Sequence, residues 1–350
     1  MVAELIITMF LSIYSAAQFK AGSKALHVIL DWDVNSGAII CTGIVILYCF
    51  FGGIRASIWT DAAQSFVMVC SMALLLFFSI ESVGSIALLF EKLSQVSDTY
   101  LNLFPPLPHG MIGIGLFIFG WFIAGVGLVG QPHIMTRFMT LEKTQNWGIV
   151  RAYYYGWYFI FCTLTFLLGL CTRVLIPNKD SFDAELALPM LSIDLLPSVL
   201  VGLILAGIFA STMSTADSQI LCCTASISRD VFKFKTLFKT KLTTVCVALF
   251  ALMIALFAPS NVFDLVLIAW SGMASAFVPL LTCYVLKSKV SEWQACVMSG
   301  SSLLAIILWR VVGLNTMITD MVPGILTGFL VYYLTRYINA NKTNNRIIYK

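Results

Sequence analysis

Polar residues are crowded into the middle of one apolar segment of the chain. Seven side chains that carry oxygen fall within nine residues there: Ser211, Thr212, Ser214, Thr215, Asp217, Ser218 and Gln219. If the segment is helical, its hydroxyls at 211, 214, 215 and 218 share one face, because residues three and four apart lie above one another. Hydroxyl and carbonyl oxygens on one face suit a hard cation such as sodium. The spacing therefore predicts a cation site on this helix.

Each of these residues also has a structural interpretation. A Ser or Thr hydroxyl in a membrane helix often donates to the carbonyl four residues earlier or joins two helices, so no single hydroxyl identifies a site. Asp217 is an ionisable residue within an apolar segment, which is itself a hypothesis of function. Its alternative is a position near the cytoplasmic end of the helix, where a Lys or Arg would pair with it.

A second apolar segment is interrupted by Gly and Pro, in the sequence GVGLVGQPH from 125 to 133. Pro132 lacks the N–H that would continue a helix, so Gly130 and Gln131 become available to a ligand. The alternative for the glycines alone is close helix packing. One interrupted helix and one polar helix are typical of secondary transporters, which hold solute and ion at mid-membrane. Proton coupling is the rival to sodium, with Asp217 as the carboxylate that would carry the proton.

Residues for enzymatic chemistry are scattered along the chain. His27, His109 and His133 lie in different segments without the spacing of a metal site. Cys222 and Cys223 are adjacent, so the sequence has no CxxC pair. The protein is therefore predicted not to be an enzyme. A channel would require a repeated pore motif, and the sequence has none.

Membrane spans must position the candidate residues. Hydrophobic residues make up 59% of the 350 residues and charged residues 11%, whereas soluble domains are roughly 25% charged. A spanning helix needs about 20 mostly apolar residues. Ten such windows run from 2 to 19, 36 to 54, 60 to 82, 111 to 138, 153 to 176, 197 to 227, 241 to 258, 262 to 286, 291 to 312 and 320 to 338. The sequence thus predicts an all-α polytopic membrane protein.

Three features between or beside the spans are also predicted. The stretch from 85 to 110, which ends in several prolines, is expected to be a surface loop. The segment from 177 to 196 has acidic residues among Leu and Met and is expected to be a short helix at the membrane interface. Asp61 is followed three residues later by Gln64, which predicts that Asp61 caps a helix.

The basic residues predict the orientation. If the N-terminus is cytoplasmic, 15 of the 21 Lys and Arg residues fall on the cytoplasmic side and 6 on the other side. Cytoplasmic loops of membrane proteins carry such an excess. Both termini are therefore predicted to be cytoplasmic, with residues 1–338 as the transmembrane domain and 339–350 as a cytoplasmic tail.

Four stretches resemble the sodium:solute symporter family, most closely the bacterial sodium/proline symporters. They are FGGIRASIWTDAAQ at 51–64, GQPHIMTRFM at 130–139, ILAGIFASTMSTADSQIL at 204–221 and AWSGMASAFVP at 269–279. The resemblance implies a fold of two inverted five-helix repeats with added C-terminal helices, working by alternating access in the bacterial inner membrane. It also implies sodium-coupled symport of a small solute, with Na+ as the coupling ion.

The resemblance assigns ion ligands within MSTADSQ, at 213–219. Ser214 and Thr215 are similar to the hydroxyl ligands of the family's sodium site, with the main-chain oxygen of Ser211 beside them. Asp217 occupies a position that is Ser in some proline carriers, and we include it in the predicted sodium-binding set.

The resemblance also indicates a solute pocket. Tyr14 in SIYSAA and Pro132 in GQPH are similar to pocket positions of the proline carriers, whereas two aromatic positions of that pocket are Ala124 and Leu128 here. The loss of those rings changes the pocket volume and removes a hydroxyl donor, unless Trp121 or Trp270 compensates. The predicted solute-binding residues are Tyr14, Gly130, Gln131, Pro132 and Trp270. The expected solute is proline or a similar amino acid, and another small zwitterion or carboxylate is the alternative.

The match begins at the fourth helix of the family's fold, so the resemblance implies that the first three helices are absent. Those helices include an unwound one whose carbonyls complete the sodium site. The open explanations are a fragment or split-gene product, a separate chain that supplies the missing helices, or a decayed carrier. An inactive membrane fragment is therefore the alternative to symport. The other expected partner is the lipid bilayer, and no nucleic acid is expected.

Overall fold

The fold is seen in a computed structural model that describes residues 1–104, 110–142, 144–176, 183–258 and 261–348, with side chains as far as 338. Within these residues the regular elements are all helices, and eight of them are long and apolar enough to cross a membrane. The all-α polytopic fold is therefore confirmed. The α-helices are α1 (Val2–Leu30), α2 (Val34–Val83), α3 (Ile86–Ser94), α4 (Met111–Val126), α5 (Pro132–Met139), α6 (Trp147–Leu175), α7 (Ala187–Leu195), α8 (Ser198–Ala225), α9 (Leu237–Phe257), α10 (Val262–Val285), α11 (Glu292–Val311) and α12 (Met321–Ile348).

Polar side chains mark where several helices begin. Asp33, Ser85 and Asn146 accept backbone N–H groups in the first turns of α2, α3 and α6. At the start of α11, Ser291 and Gln294 form a reciprocal capping box. These oxygens satisfy amides that have no partner inside the helix, so these boundaries follow from the local sequence.

Nine of the ten predicted windows correspond to the eight apolar helices, and the tenth falls on α12. The windows 36 to 54 and 60 to 82 form one element, α2, which bends at Gly53, where φ is 63°. The two windows are helical stretches on either side of this break, which glycine allows because it accepts a positive φ. The window 320 to 338 begins α12, which is less apolar than the eight. The other seven windows each overlap one of the eight.

The stretch predicted to be a loop from 85 to 110 contains helix α3, so this part of the prediction was wrong. Leu89 and Leu93 lie on one face of α3 and are buried, because residues four apart on a helix point the same way. Residues 105–109, including His109, lie outside the described part of the chain. The short helix predicted between 177 and 196 is present as α7, after a 3-10 turn (Ala184–Leu186). Residues 177–182 lie outside the described part.

The chain forms two compact units. The first unit consists of Met1–Leu11, Pro106–Thr140 and Val266–Lys350, and its buried core joins α4, α10 and α12. The second unit consists of Ser12–Pro105 and Leu141–Leu265, and its core joins α2, α3, α6, α7 and α8. Helix α12 extends as far as Ile348, so most of the predicted tail has a helical backbone.

Within the second unit, α8 packs closely along α2. Gly207 allows the approach, because a Cβ atom added there would lie 2.6 Å from the side chain of Ser71. The Ser71 hydroxyl donates across the contact to the carbonyl of Leu203, at 3.0 Å. Small residues at such contacts let two membrane helices come together without a bulky side chain between them. The contact fixes the part of α2 that faces the polar residues of α8.

Candidate functional site

The polar segment of α8 lies in an unbroken helix in the second unit. Ser211, Ser214, Thr215 and Ser218 are each partly exposed. Asp217, by contrast, is only 1% exposed. The predicted sodium-binding residues therefore occupy two sides of α8, one open and one buried.

Two of the hydroxyls bond back to their own helix. The Thr215 hydroxyl donates to the carbonyl of Ser211 at 3.0 Å, and the Ser218 hydroxyl donates to the carbonyl of Ser214 at 3.0 Å. Thr215 and Ser218 therefore do what the structural alternative predicts, since each hydroxyl donates to a carbonyl of its own helix. Their oxygens still have lone pairs that accept a cation, because a hydroxyl that donates one proton retains its acceptor capacity.

Ser214 makes a different contact, which connects α8 to α2. Its hydroxyl donates to Oδ1 of Asp61 at 2.6 Å, a distance typical of a hydrogen bond to a carboxylate. Asp61 lies within α2, eight residues after the bend at Gly53. The prediction that Asp61 caps a helix was therefore wrong, because α2 continues through it. Asp61 instead adds a negative charge to the hydroxyl face of α8.

Asp217 contacts α2 on the other side of the same bend. The thiol of Cys49 donates to Oδ1 of Asp217 at 2.9 Å, and both residues are buried. Asp217 is eight residues from the last residue of α8, so it does not lie at the helix end. Cys49 and Asp61 thus contact neighbouring stretches of α8 from opposite sides of Gly53.

Tyr14, predicted to bind solute, lies on α1 in the same unit. The next residue, Ser15, donates to Oε1 of Gln219 on α8 at 3.0 Å, and both are fully buried. This bond fixes α1 against the polar segment of α8. Tyr14 therefore lies on a helix that packs against α8, the helix that carries the hydroxyls.

The predicted interruption at GQPH is present in the first unit. Helix α4 ends at Val126, a 3-10 turn follows over Gly127–Gly130, and α5 begins at Pro132. Gln131 between them has an extended backbone, with φ −94° and ψ 102°. Pro132 stands where a missing N–H costs nothing, because the first amides of a helix have no partner. At the turn, the Gln131 N–H donates to the carbonyl of Leu128, and the Gln131 carbonyl accepts the N–H groups of Ile134 and Met135.

The interruption packs against α10. A Cβ atom added to Gly130 would lie 2.9 Å from Cα of Ala274, so only glycine fits there. Gln131 is 1% exposed, and its amide donates to the carbonyl of Trp270 at 3.2 Å. The structure therefore brings together four of the predicted solute-binding residues: Gly130, Gln131, Pro132 and Trp270.

Two polar atoms at this contact have no partner among the described residues. They are Oε1 of Gln131, an acceptor, and Nε1 of Trp270, a donor. A buried polar atom without a hydrogen bond costs about 1–3 kcal/mol, so such atoms in a native protein call for an explanation. A solute with one donor and one acceptor would satisfy both.

Ala124, a pocket position by resemblance, packs into the core of the first unit. It is 9% exposed and lies in the buried cluster with Ala274 and Met321. A small side chain therefore fills space in this core. In the part of the chain that the structure describes, no group of three or more His, Cys, Asp or Glu residues could hold a metal ion.

The sequence matches the profile of the sodium:solute symporter family over residues 1–301. The chain belongs to this family. Its curated relatives include the high-affinity proline transporter PutP of Bacillus subtilis, which is 26% identical over 95% of this chain and 72% of its own length. The sodium/proline symporter of Staphylococcus aureus strain JH9 is 27% identical over 96% of this chain and 69% of its own length.

A solved structure supports the fold of this symporter. It is the substrate-bound outward-open state of a Na+-coupled sialic acid symporter, with a TM-score of 0.75 and 17% identity. The likeness covers 95% of this chain and 74% of the other. The family consists of transporters, so the chain is a multi-pass membrane transporter and not an enzyme.

Two residues of the α8 site were missed from the sequence. Asp61 lies 153 residues from Ser214 along the chain, and Cys49 lies 168 residues from Asp217. The only signal for Asp61 was an acidic residue at the edge of an apolar window. Cys49 had none, because a cysteine in an apolar run is usually a small hydrophobic residue.

Proposed function

We propose that this symporter couples the inward movement of Na+ to that of a small zwitterionic solute, proline or a similar amino acid, by alternating access. The observation that carries the proposal is the hydrogen bond from Ser214 to Asp61 within two membrane-spanning helices. Family membership and the proline transporters among the curated relatives support the same function.

The oxygens near this bond are of the kind that sodium prefers. The hydroxyls of Ser214 and Thr215, the carbonyl of Ser211 and the carboxylate of Asp61 are hard ligands, and the hydroxyl face is partly exposed. Asp61 adds a carboxylate oxygen beside the Ser214 hydroxyl, and carboxylates are among the oxygen ligands that hard cations take. Asp217 lies on the buried side of α8 and would support the site through α2 rather than as a direct ligand.

One sodium ion is sufficient to drive accumulation. Moving one positive charge through about 100 mV releases about 2.3 kcal/mol, and a tenfold sodium gradient adds about 1.4 kcal/mol. The sum of about 3.7 kcal/mol would concentrate a neutral solute about 500-fold. Coupling follows if sodium stabilises the state that the solute prefers, since a ligand shifts populations only through its differential affinity.

The solute would bind at the interrupted helix. Among the described residues, the side chains of Gln131 and Trp270 offer an acceptor and a donor that have no other partner. Tyr14 lies in the second unit and stays a predicted solute-binding residue. Proline carries both kinds of hydrogen-bonding group, and the relatives named as proline transporters support it as the first solute to test.

The proposal includes a location. The relatives named above come from bacteria, which supports the bacterial inner membrane. The distribution of 15 against 6 basic residues supports both termini in the cytoplasm. Residues 1–338 would form the transmembrane domain and 339–350 a cytoplasmic tail. A separate chain that supplies further helices stays a prediction, and co-purification would test it.

Uptake into proteoliposomes tests the function. We expect the reconstituted chain to accumulate labelled proline faster with an inward sodium gradient than with a potassium gradient. The double variant Ser214→Ala with Thr215→Ala should abolish the sodium stimulation, because it removes two oxygen ligands. The matched control is Thr163→Ala with Thr165→Ala on α6, whose hydroxyls also bond back to their helix. Sodium stimulation that survives in the first double variant would remove the site assignment.

A further inference from the structure

A cavity of about 220 Å³ lies within the first unit, between α4 and the segment that joins α11 to α12. Phe117 and Trp121 line one side, and Arg310 and Asp320 line the other. Trp121 is 54% exposed, so the cavity can be reached from the surface of the unit. Pockets for drug-sized ligands are about 300–1,000 Å³, so this cavity suits a smaller molecule.

Asp320 holds Arg310 in place beside the cavity. Asp320 is 3% exposed, and its Oδ1 accepts the hydroxyl of Ser271 at 2.6 Å. Its Oδ2 accepts the Nε–H of Arg310. Among the described residues, the terminal nitrogens of Arg310 make no hydrogen bond. The guanidinium is therefore fixed at Nε, while the N–H groups at its outer end stay available, in a planar geometry that matches a carboxylate.

The charge of the lining selects the kind of ligand. Arg310 and Asp320 are the charged residues among those that line the cavity, so the lining is neutral overall. A lone anion or a lone cation is attracted by one of them and repelled by the other. A zwitterion can place its carboxylate on Arg310 and keep its cationic group away from that guanidinium.

The aromatic side of the cavity offers a place for the cationic group. Phe117 and Trp121 form an edge-to-face pair with centroids 6.4 Å apart. The face of an indole ring attracts ammonium and quaternary ammonium groups. Asn315 and Thr316 add exposed polar side chains at the rim.

We propose that this cavity binds a small zwitterion, with its carboxylate on Arg310 and its cationic group against Trp121. Arg310 and Trp121 are not among the residues assigned to solute or sodium binding under the proposed function, although Ala124, a pocket position by resemblance, also lines the cavity. The proposal therefore stands on the cavity alone, and the proposed function enters only in the choice of proline as one probe.

Equilibrium binding to the purified chain in nanodiscs tests the proposal, in potassium buffer without sodium. The probes are labelled L-proline and glycine betaine, with propionate and tetramethylammonium as single-charge comparisons. We expect the zwitterions to bind more tightly than either single-charge probe. Trp121→Leu should weaken betaine binding about tenfold, whereas Trp121→Phe, which keeps a ring, should weaken it less.

A second variant tests Arg310 without leaving a buried charge unpaired. Arg310→Gln with Asp320→Asn removes both charges and keeps groups that can hydrogen-bond to each other and to Ser271, so the fold should survive. We expect zwitterion binding to be lost. The matched control is Arg336→Gln, an arginine of α12 in the same unit whose Nη1 donates to Tyr332. That control should bind as the wild type does.

The outcomes separate this proposal from the proposed function. Betaine affinity that is unchanged in both Trp121→Leu and the double variant, or no binding of either zwitterion to the folded wild type, overturns the cavity assignment. If neither zwitterion binds without sodium, and proline binding with sodium is lost in Ser214→Ala with Thr215→Ala, the cavity assignment fails and the proposed function stands. If zwitterions bind without sodium and depend on Trp121, the cavity assignment holds whatever the result of the uptake assay.

Discussion

Glu185 connects three parts of the second unit, so its replacement should destabilise the fold measurably. Its carboxylate accepts the backbone N–H groups of Val262 and Phe263, at 3.1 and 2.9 Å, at the start of α10. It also pairs with Lys24 on α1, which pairs in turn with Asp183. The variant Glu185→Gln keeps an acceptor oxygen but removes the charge.

The cost follows from these contacts. Hydrogen bonds to a charged group stabilise a protein by about 1.5–3 kcal/mol and neutral ones by about 0.5–1.5 kcal/mol, so the two amides lose roughly 1 kcal/mol each. The ion pair adds less than about 1 kcal/mol, because the Lys24 and Glu185 side chains are 19% and 21% exposed and are partly screened by solvent. Lys24 keeps Asp183 as a partner, which offsets part of the loss. We expect the free energy of unfolding to fall by about 2 kcal/mol.

The effect should depend on pH in a defined direction. Burial alone raises the pKa of Glu185, but the hydrogen bonds from Lys24, Phe263 and Val262 outweigh it, so the pKa lies below its ordinary value. The Lys24 bond likewise lowers the pKa of Asp183. A carboxyl with a depressed pKa in the folded state stabilises the fold above its unfolded pKa of about 4 and loses that contribution as pH falls through its folded pKa.

Thermal unfolding in detergent micelles, between pH 3 and pH 8, measures the effect. The difference in melting temperature between the wild type and Glu185→Gln should be about 3 °C at pH 7, and it should shrink below about pH 4. The control is Glu81→Gln, an exposed carboxylate on α2. An equal loss in the control, or a difference that does not change with pH, would refute the reasoning.

Two further predictions concern α8 and its contacts. Gly207→Ala would place a methyl group 2.6 Å from Ser71 and should lower the free energy of unfolding by about 1–3 kcal/mol. The control is Gly202→Ala on the same helix, whose methyl group would meet nothing within 4 Å and should be neutral in the same unfolding assay. If sodium binds at the site, the melting temperature should be higher in NaCl than in KCl. Asp61→Asn should remove most of this difference, because it removes the carboxylate beside Ser214. Asp264→Asn, at an exposed position, should retain the difference. A sodium effect that is the same in Asp61→Asn and Asp264→Asn would exclude Asp61 from the site.

The sequence predicts the features that depend on local chemistry. Pro132 cannot donate a backbone hydrogen bond, and the interruption lies where this predicts it. The apolar windows predict most spans because lipid requires long runs without charge. The acidic turn before α7 is recognisable for the same reason, since charged residues break such a run.

Contacts between distant segments are not predictable in this way. The bond from Ser214 to Asp61 depends on how α2 packs against α8, and nothing near Asp61 in the sequence distinguishes it from a helix cap. The sequence separates the windows 36 to 54 and 60 to 82, but it does not show that the two helical stretches meet directly at Gly53. Helix α3 was missed because its two buried leucines are too few to form a recognisable apolar window.

The bend in α2 has a mechanical consequence. With a rise of about 1.5 Å per residue, Asp61 lies about 12 Å from Gly53 along the helix and Cys49 about 6 Å. If each arm of α2 turned by about 10° about Gly53, Asp61 would move by about 2 Å and Cys49 by about 1 Å relative to a fixed α8. The larger displacement is enough to break the bond from Ser214, while the smaller one leaves the thiol near Asp217. A rotation at Gly53 would therefore displace Asp61 more than Cys49 and would break the bond between Ser214 and the Asp61 carboxylate first.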